Sequence, residues 1–137
     1  MESIEEKQQS IVDEFAIYDD WMDKYEYIIE LGKELPLIAN NYKTEDRLIK
    51  GCQSRVWLHA EKDGNIMQFA ADSDAIITKG IIALLIRVLN NEKPEVIAKS
   101  DLHFIKEIGL QEHLSPTRSN GLVSMIKQMK LEALKNA

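Results

Sequence analysis

The chain has 137 residues, of which 45% are hydrophobic and 29% are charged, and its formal net charge is −6. These values fit one globular domain, predicted to cover residues 1–137, that needs no disulfide or metal to fold. An acidic chain without a basic stripe is a poor nucleic-acid binder, because phosphate contacts need clustered Lys and Arg side chains.

Cysteine content and hydropathy predict a cytoplasmic protein that does not associate with membranes. Cys52 is the only cysteine, so no internal disulfide can form, which fits a reducing compartment. The start MESIEEKQQS is acidic and polar, unlike a signal peptide. The longest apolar run, in KGIIALLIRV, is too short to span a bilayer.

Two helices are predicted for the first part of the chain. Ser3 and Glu6 have capping-box spacing, and apolar residues at helical intervals continue this helix to about residue 17. A second helix is predicted from Asp20 to Leu35, with Pro36 ending it. The mixed polarity of PLIANNYKTEDRL then predicts a surface loop.

A hydrophobic period of two begins at Ser54 and predicts a strand. The segment KDGN carries an Asp-Gly turn signal, and residues Ile66 to Ala71 are predicted to return as the second strand. A short strand near Arg47 to Lys50 would enlarge this antiparallel sheet. Because an isolated hairpin is only marginally stable, helices are expected to cover one face.

The segment DSDAIITKGIIALLIRVLNNEKP predicts a long helix that packs on the sheet. Its first residues, Asp72, Ser73 and Asp74, are candidate N-caps. Ile76 is placed among the positions that bury against the sheet.

Shorter helices are predicted at Pro94 to Ala98 and at Leu102 to Ile108, with Gly109 as a stop signal. Ser115 starts a final amphipathic helix whose apolar positions extend to Leu134. Segregated strands and helices predict an α+β fold, a small antiparallel sheet covered by helices.

Cys52 is the first candidate for chemistry. Free cysteine is usually buried and behaves as a small hydrophobic residue. Here Gly51 permits a tight turn, and Lys50 and Arg55 flank the thiol. Nearby cations favour the thiolate, which is the nucleophilic form. These features are compatible both with a reactive Cys52 and with a structural Cys52.

Having a single thiol restricts the reactions that this chain can carry out. It cannot hold an iron–sulfur cluster alone, and His59, His103 and His113 lack metal-ligand spacing. A Cys–His hydrolase stays open, because its partners can meet in the fold. A thiolate can also attack a disulfide or persulfide sulfur. A single cysteine suits a carrier of activated sulfur, because no second thiol of the chain can release the cargo as sulfide.

Several motifs together carry a family resemblance. GCQSRVWL, ADSDAIITKGIIALL and HLSPTRSNGL occur in this order, and YIIELGKELP precedes them. With this order and spacing the chain resembles the SufE family of sulfur acceptors over nearly its whole length. The resemblance implies an α+β fold similar to that of the IscU/NifU scaffold.

The resemblance also implies a function. Such proteins activate a partner cysteine desulfurase, usually SufS, and the matching cysteine here is Cys52. Its thiolate would take the outer sulfur of the desulfurase persulfide and carry it to a SufBCD-type scaffold. Pyridoxal phosphate would belong to the desulfurase, so no cofactor or metal is expected in this chain. The sequence does not decide whether the chain forms a homodimer. The competing interpretation of its function is a non-catalytic interaction module with a structural Cys52.

Four other residues are expected to support the thiol or bind the partner: Gly51, Gln53, Asp74 and Arg118. A helix cap is the favoured interpretation of Asp74, and the alternative is that it helps to position the Cys52 loop. The guanidinium of Arg118 is expected near the thiol loop or against the desulfurase, where it would stabilise sulfur charge. Gln53 either bonds near the sulfur or shapes the turn, and Trp57 is interpreted as a packing residue.

The chemistry of a carrier makes opposing demands on Cys52. The thiolate must be exposed when docked, yet its persulfide must be shielded from reductants in solution. We therefore predict that the unbound protein partly shelters Cys52.

Overall fold

A computed structural model describes residues 3–35 and 38–137, which form helices packed around one antiparallel hairpin. The helices are α1 (Ile4–Phe15), α2 (Trp21–Lys33), α3 (Ile76–Leu89), α4 (Pro94–Lys99), α5 (Phe104–Glu107), α6 (Leu110–His113) and α7 (Pro116–Lys135). The strands are β1 (Val56–Asp63) and β2 (Ile66–Ser73). The predicted α+β class is confirmed.

Side-chain caps start the first two helices where the sequence predicts them. Ser3 and Glu6 form the reciprocal capping box of α1, and the Asp20 carboxylate accepts from the Asp23 backbone N–H at the start of α2. α1 ends at Phe15, two residues before the predicted end. The predicted stop at Pro36 lies outside the described residues.

The hairpin pairs β1 with β2 in the alternating pattern read from the sequence. Val56 and Leu58 are buried, and they lie opposite Ser73 and Ala71. Gly64, at φ +64°, opens the two-residue turn between the strands, a conformation that glycine adopts without strain. α3 packs on β2, so helices cover one face of the sheet as expected.

The predicted strand near residues 47–50 is wrong. Within the described chain this segment contributes a single bridge, between Leu48 and Trp57. Two 3₁₀ turns, Asn40–Tyr42 and Glu45–Arg47, occupy the region predicted as loop. Pairing stops after Ile49, whose N–H donates to the Val56 carbonyl at 2.9 Å, because the chain then turns back through the Cys52 loop.

α3 is the central helix of the core, but its start differs from the prediction. Its N-cap is Ala75, which makes no side-chain cap bond, so the predicted cap at residues 72–74 is wrong. Ile76 is 67% exposed rather than buried. It lies on the same helical face as Lys79 and Arg87, turned away from the sheet.

α2 crosses α3 at two glycines. A Cβ on Gly32 would lie 2.8 Å from the Gly80 nitrogen, and one on Gly80 would lie 2.2 Å from the Ile28 carbonyl oxygen. These distances are shorter than any ordinary packing contact. The two backbones therefore touch at a point where only glycine fits.

The C-terminal helices follow the prediction with two exceptions. Gly109, at φ +76°, ends α5, and the short helix α6 that follows it was not predicted. Leu134 is 59% exposed, because the buried stripe of α7 reaches Ala133 instead. Helix α4 packs against α7, and α1 packs against α3 and α5.

Candidate functional site

The loop between Ile49 and β1 carries Cys52 and rests on α7. Gly51 has φ +93°, and a Cβ at this position would lie 2.4 Å from the Ser124 hydroxyl oxygen. The positive φ favours glycine at this position, because L side chains rarely adopt that backbone conformation, whereas the Ser124 hydroxyl could turn away. Gly51 thus sets the path that brings the next residue against the helix.

The thiol of Cys52 is half-buried in this position. Its Sγ lies 3.6 Å from the Gly121 carbonyl oxygen of α7, and the side chain packs against the hydrophobic core. The predicted partial shelter of Cys52 is confirmed.

Burial raises the pKa of the Cys52 thiol above its ordinary value. The expectation that flanking cations would favour the thiolate is therefore wrong for this conformation. Lys50 and Arg55 are both exposed, so solvent screens their charges while the apolar contacts desolvate the sulfur.

A small cavity of about 40 Å³ opens beside the thiol. Its walls come from the Cys52 loop, from α3 and from the first turns of α7. The lining residues are Cys52, Gln53, Ser54, Thr78, Ile81, Thr117, Arg118, Gly121 and Met125. Three predicted residues, Cys52, Gln53 and Arg118, thus meet at one site.

Arg118 reaches across this cavity wall to α3. Its Nη1 donates to the Thr78 Oγ1 at 3.0 Å, and its backbone N–H donates to the N-cap Ser115 hydroxyl at 3.3 Å. Arg118 pairs with no carboxylate within residues 3–35 and 38–137. Its charge is therefore available to an anion that enters the cavity.

Asp74 fixes the end of the Cys52 loop rather than lining the cavity. Its carboxylate accepts from the Arg55 N–H at 3.0 Å, and its own N–H donates to the Arg55 carbonyl at 3.2 Å. The Ser73 hydroxyl donates to the same carbonyl at 2.8 Å. These bonds support the alternative interpretation of Asp74, as a residue that positions the loop.

Asp72 anchors the neighbouring segment through two lysines. Its carboxylate lies 2.7 Å from the Lys43 ammonium and 3.2 Å from that of Lys79. Burial alone would raise its pKa, but the bonds from Lys43, Ser73 and Lys79 lower the pKa overall. Trp57 is half-buried in β1, with the Lys43 Nζ 5.7 Å from its ring centroid, which fits a packing residue.

The three histidines lie away from the thiol cavity and have other partners. His59 contacts Arg47 and Glu61, and His103 contacts Glu5 and Glu107. His113 bonds to the Gly109 carbonyl and stacks on Trp21. A Cys–His hydrolase dyad is therefore wrong for this conformation.

Metal sites and membrane-spanning helices are both missing from the part of the chain that the structure describes. No cluster of His, Cys, Asp or Glu side chains in residues 3–35 and 38–137 has the arrangement of a metal site. In the same residues, no helix combines the length and the hydropathy needed to cross a membrane.

Sequence reasoning missed two residues that shape the cavity. Thr78 is a polar residue on an otherwise apolar buried helix face, and this contrast was a usable signal. Gly121 lies within the quoted HLSPTRSNGL motif, and a Cβ on it would lie 3.6 Å from the Cys52 Sγ. Its importance could not be read from the sequence, because it depends on how α7 packs against the loop.

Comparisons with known proteins agree on one family. The sequence profile described as "SufE: Fe-S metabolism associated domain" matches residues 9–133. Uncharacterised SufE-like proteins of Rhizobium etli and Rhizobium meliloti are 42% and 41% identical over 128 residues, which is 90% of this chain and 86% and 91% of those proteins.

A plant protein and a solved structure extend the comparison. "SufE-like protein 1, chloroplastic/mitochondrial" of Arabidopsis thaliana is 36% identical over 136 residues, covering 98% of this chain and 36% of that protein. The solution structure of a hypothetical protein from Thermus thermophilus superposes with a TM-score of 0.77 at 21% identity over 94% of both chains. This last likeness shows the fold.

Proposed function

This chain belongs to the SufE family, which is associated with Fe–S metabolism, and we propose that it carries sulfur as a persulfide on Cys52. In this proposal a SufS-type cysteine desulfurase supplies the sulfur, and a SufBCD-type scaffold receives it. One observation carries the proposal: the only thiol of the chain is half-buried beside a small cavity lined by an arginine that has no carboxylate partner in the described residues.

The transfer step is a thiol–persulfide exchange. The Cys52 thiolate attacks the outer sulfur of the desulfurase persulfide, and a new S–S bond forms at Sγ. The bond between that outer sulfur and the desulfurase cysteine breaks, and the leaving thiolate keeps the electron pair. The proton lost by the Cys52 thiol passes to solvent or to the leaving thiolate, so no external oxidant or reductant is consumed.

The cavity suits the product of this step. A space of about 40 Å³ exceeds the roughly 10–15 Å³ that one water molecule needs. One added sulfur atom therefore fits beside Sγ without moving the helices. In that position the persulfide would be shielded from thiols in solution.

Docking must expose the sulfur that the resting protein shelters. Burial disfavours the thiolate in the resting conformation, and a half-buried Sγ held against Gly121 is poorly placed to attack a partner persulfide. We propose that the Cys52 loop moves away from Gly121 when the desulfurase binds, which raises the thiolate fraction at the moment of transfer.

The cofactor of the reaction and its cellular compartment complete the proposal. Pyridoxal phosphate belongs to the desulfurase in this proposal, and the residues of this chain provide the nucleophile and its surroundings. We place the reaction in the cytoplasm, because a lone cysteine fits a reducing compartment.

Replacing Cys52 with serine tests the proposal against a non-catalytic interaction module. Desulfurase turnover is measured with saturating wild-type chain and with Cys52→Ser, and circular dichroism checks that both are folded. We expect the variant to lose sulfur acceptance and most of the stimulation, because its hydroxyl cannot hold a persulfide. Full stimulation by folded Cys52→Ser would reject the relay and favour an interaction module.

A further inference from the structure

One buried hydroxyl on α3 has a role that core packing does not explain. Thr78 is 5% exposed, and the neighbouring buried residues of α3 are mostly apolar. A hydroxyl in such surroundings costs free energy unless it is hydrogen-bonded. Valine has the same shape and would pack here without that cost.

The partner of this hydroxyl is the arginine of the thiol cavity. Arg118 Nη1 donates to the Thr78 Oγ1 at 3.0 Å, across 40 positions of sequence. Both residues line the cavity beside Cys52. The bond ties the first turn of α7 to the first turn of α3 at the wall of the site.

This bond leaves most of the guanidinium free. In the described residues Thr78 is the only hydrogen-bond partner of the Arg118 side chain, and the guanidinium forms no ion pair there. Arginine always carries its charge and presents several N–H donors in a planar fork. The remaining donors can therefore serve an anionic sulfur in the cavity.

A long side chain anchored at one point is already partly ordered. An unanchored arginine must lose rotamer freedom before its charge can act on a reacting group. A carboxylate anchor would order it too, but would neutralise the charge. A neutral hydroxyl orders the guanidinium and leaves its charge uncompensated.

We infer that Thr78 is a positioning residue for sulfur transfer, holding the Arg118 guanidinium over the cavity where negative charge moves from the attacking sulfur to the leaving sulfur. The inference rests on the proposed function, because it assigns a role within that transfer. Thr78 itself touches neither the incoming sulfur nor Cys52 in this account.

The test uses Thr78→Val and Thr78→Ser in the full chain with a SufS-type desulfurase and cysteine. We expect Thr78→Val to slow the maximal rate of sulfur transfer to Cys52 by about five- to tenfold, the effect of losing one ordinary hydrogen bond. The concentration for half-maximal stimulation should stay the same, because docking is not altered. Thr78→Ser restores the hydroxyl and should recover most of the rate.

Two controls separate positioning from a general loss of structure. Thr44→Val removes a similar bond, from Arg47 Nη1 to Thr44 Oγ1 at 3.2 Å, together with the bond from the Thr44 hydroxyl to Asp46, on a segment that does not line the cavity. It should leave the transfer rate unchanged. Adding Thr78→Val to Arg118→Met should cause no further loss, because the group to be positioned is gone.

The outcomes distinguish this inference from the proposed function. If wild type accepts sulfur and Thr78→Val accepts it at the same rate, the positioning role is wrong while the relay stands. An equal loss in the Arg118→Met background would likewise overturn it, since the effect would not act through Arg118. If wild type takes no sulfur at all, the relay fails and this role fails with it.

Discussion

At the scale of single residues, the surroundings of Cys52 are set by contacts distant in sequence. The turn at Gly51 could be read from the sequence, but the pKa of the thiol could not. Lys50 and Arg55 are near in sequence and exposed, whereas Gly121, 69 positions away, lies against the sulfur. Burial therefore raises the pKa of the thiol, and the local charge pattern predicted the opposite shift.

This burial predicts how the resting thiol titrates. The midpoint of thiolate formation in the native chain should lie above that of the same chain unfolded in urea, whose thiol titrates near its ordinary pKa, about 8.5. Thiolate ultraviolet absorbance measures both curves, and Cys52→Ser supplies the background from tyrosine. A native midpoint below the unfolded one would show that cations, and not burial, dominate at the sulfur.

At the scale of helices and strands, short sequence motifs predicted where most elements begin and end. Contacts between distant segments set the boundaries that were predicted wrongly. The caps at Ser3, Asp20 and Ser115 act through bonds within one helical turn, so short motifs specify them. The start of α3 differs because Asp74 bonds to Arg55, across the hairpin, instead of to its own helix. From the sequence alone, the Asp74 carboxylate could equally accept from the first N–H groups of α3 or from the Arg55 N–H.

One link between elements predicts a pH-dependent stability. His103 lies between Glu5 of α1 and Glu107 of α5, with ring nitrogens 2.7 Å and 2.6 Å from their carboxylates. The bonds to Glu5 and then Glu107 raise the pKa of His103 above its ordinary value. Its stabilisation is thus complete below about pH 6.5, and is lost as the pH rises through the raised folded-state pKa.

Chemical unfolding of wild type and His103→Gln measures this contribution. The difference in unfolding free energy should be larger at about pH 6 than at about pH 9, by no more than about 1 kcal/mol because solvent screens the pair. Glu5→Gln removes one partner and should reduce the pH dependence. A difference that is constant, or that grows toward high pH, would contradict the assigned ion pairs.

At the scale of the whole molecule, the site exists only because three distant segments meet. Residues 52–54, the first turns of α3 and the first turns of α7 line the cavity. Each segment carries a motif that was visible in the sequence, so Cys52, Gln53 and Arg118 were identified in advance. The Thr78 bond and the approach of Gly121 depend on how α3 packs against α7, which no local pattern specifies.

In the proposed relay, the packing of the whole molecule would protect a persulfide on Cys52. The sulfur faces a cavity formed by packed helices, and the chain has no second thiol to attack it. In the proposed relay, the sulfur is released by movement of the Cys52 loop and not by a reaction with a second thiol of the chain.

Intact-mass analysis tests the central claim most directly. The chain is incubated with a SufS-type desulfurase, pyridoxal phosphate and cysteine, and then weighed before and after treatment with a thiol reductant. The account predicts an increase of one sulfur atom that the reductant removes, that maps to Cys52, and that is absent from Cys52→Ser. An unchanged mass while the desulfurase is active and stimulated, or an adduct that persists in Cys52→Ser, would contradict it.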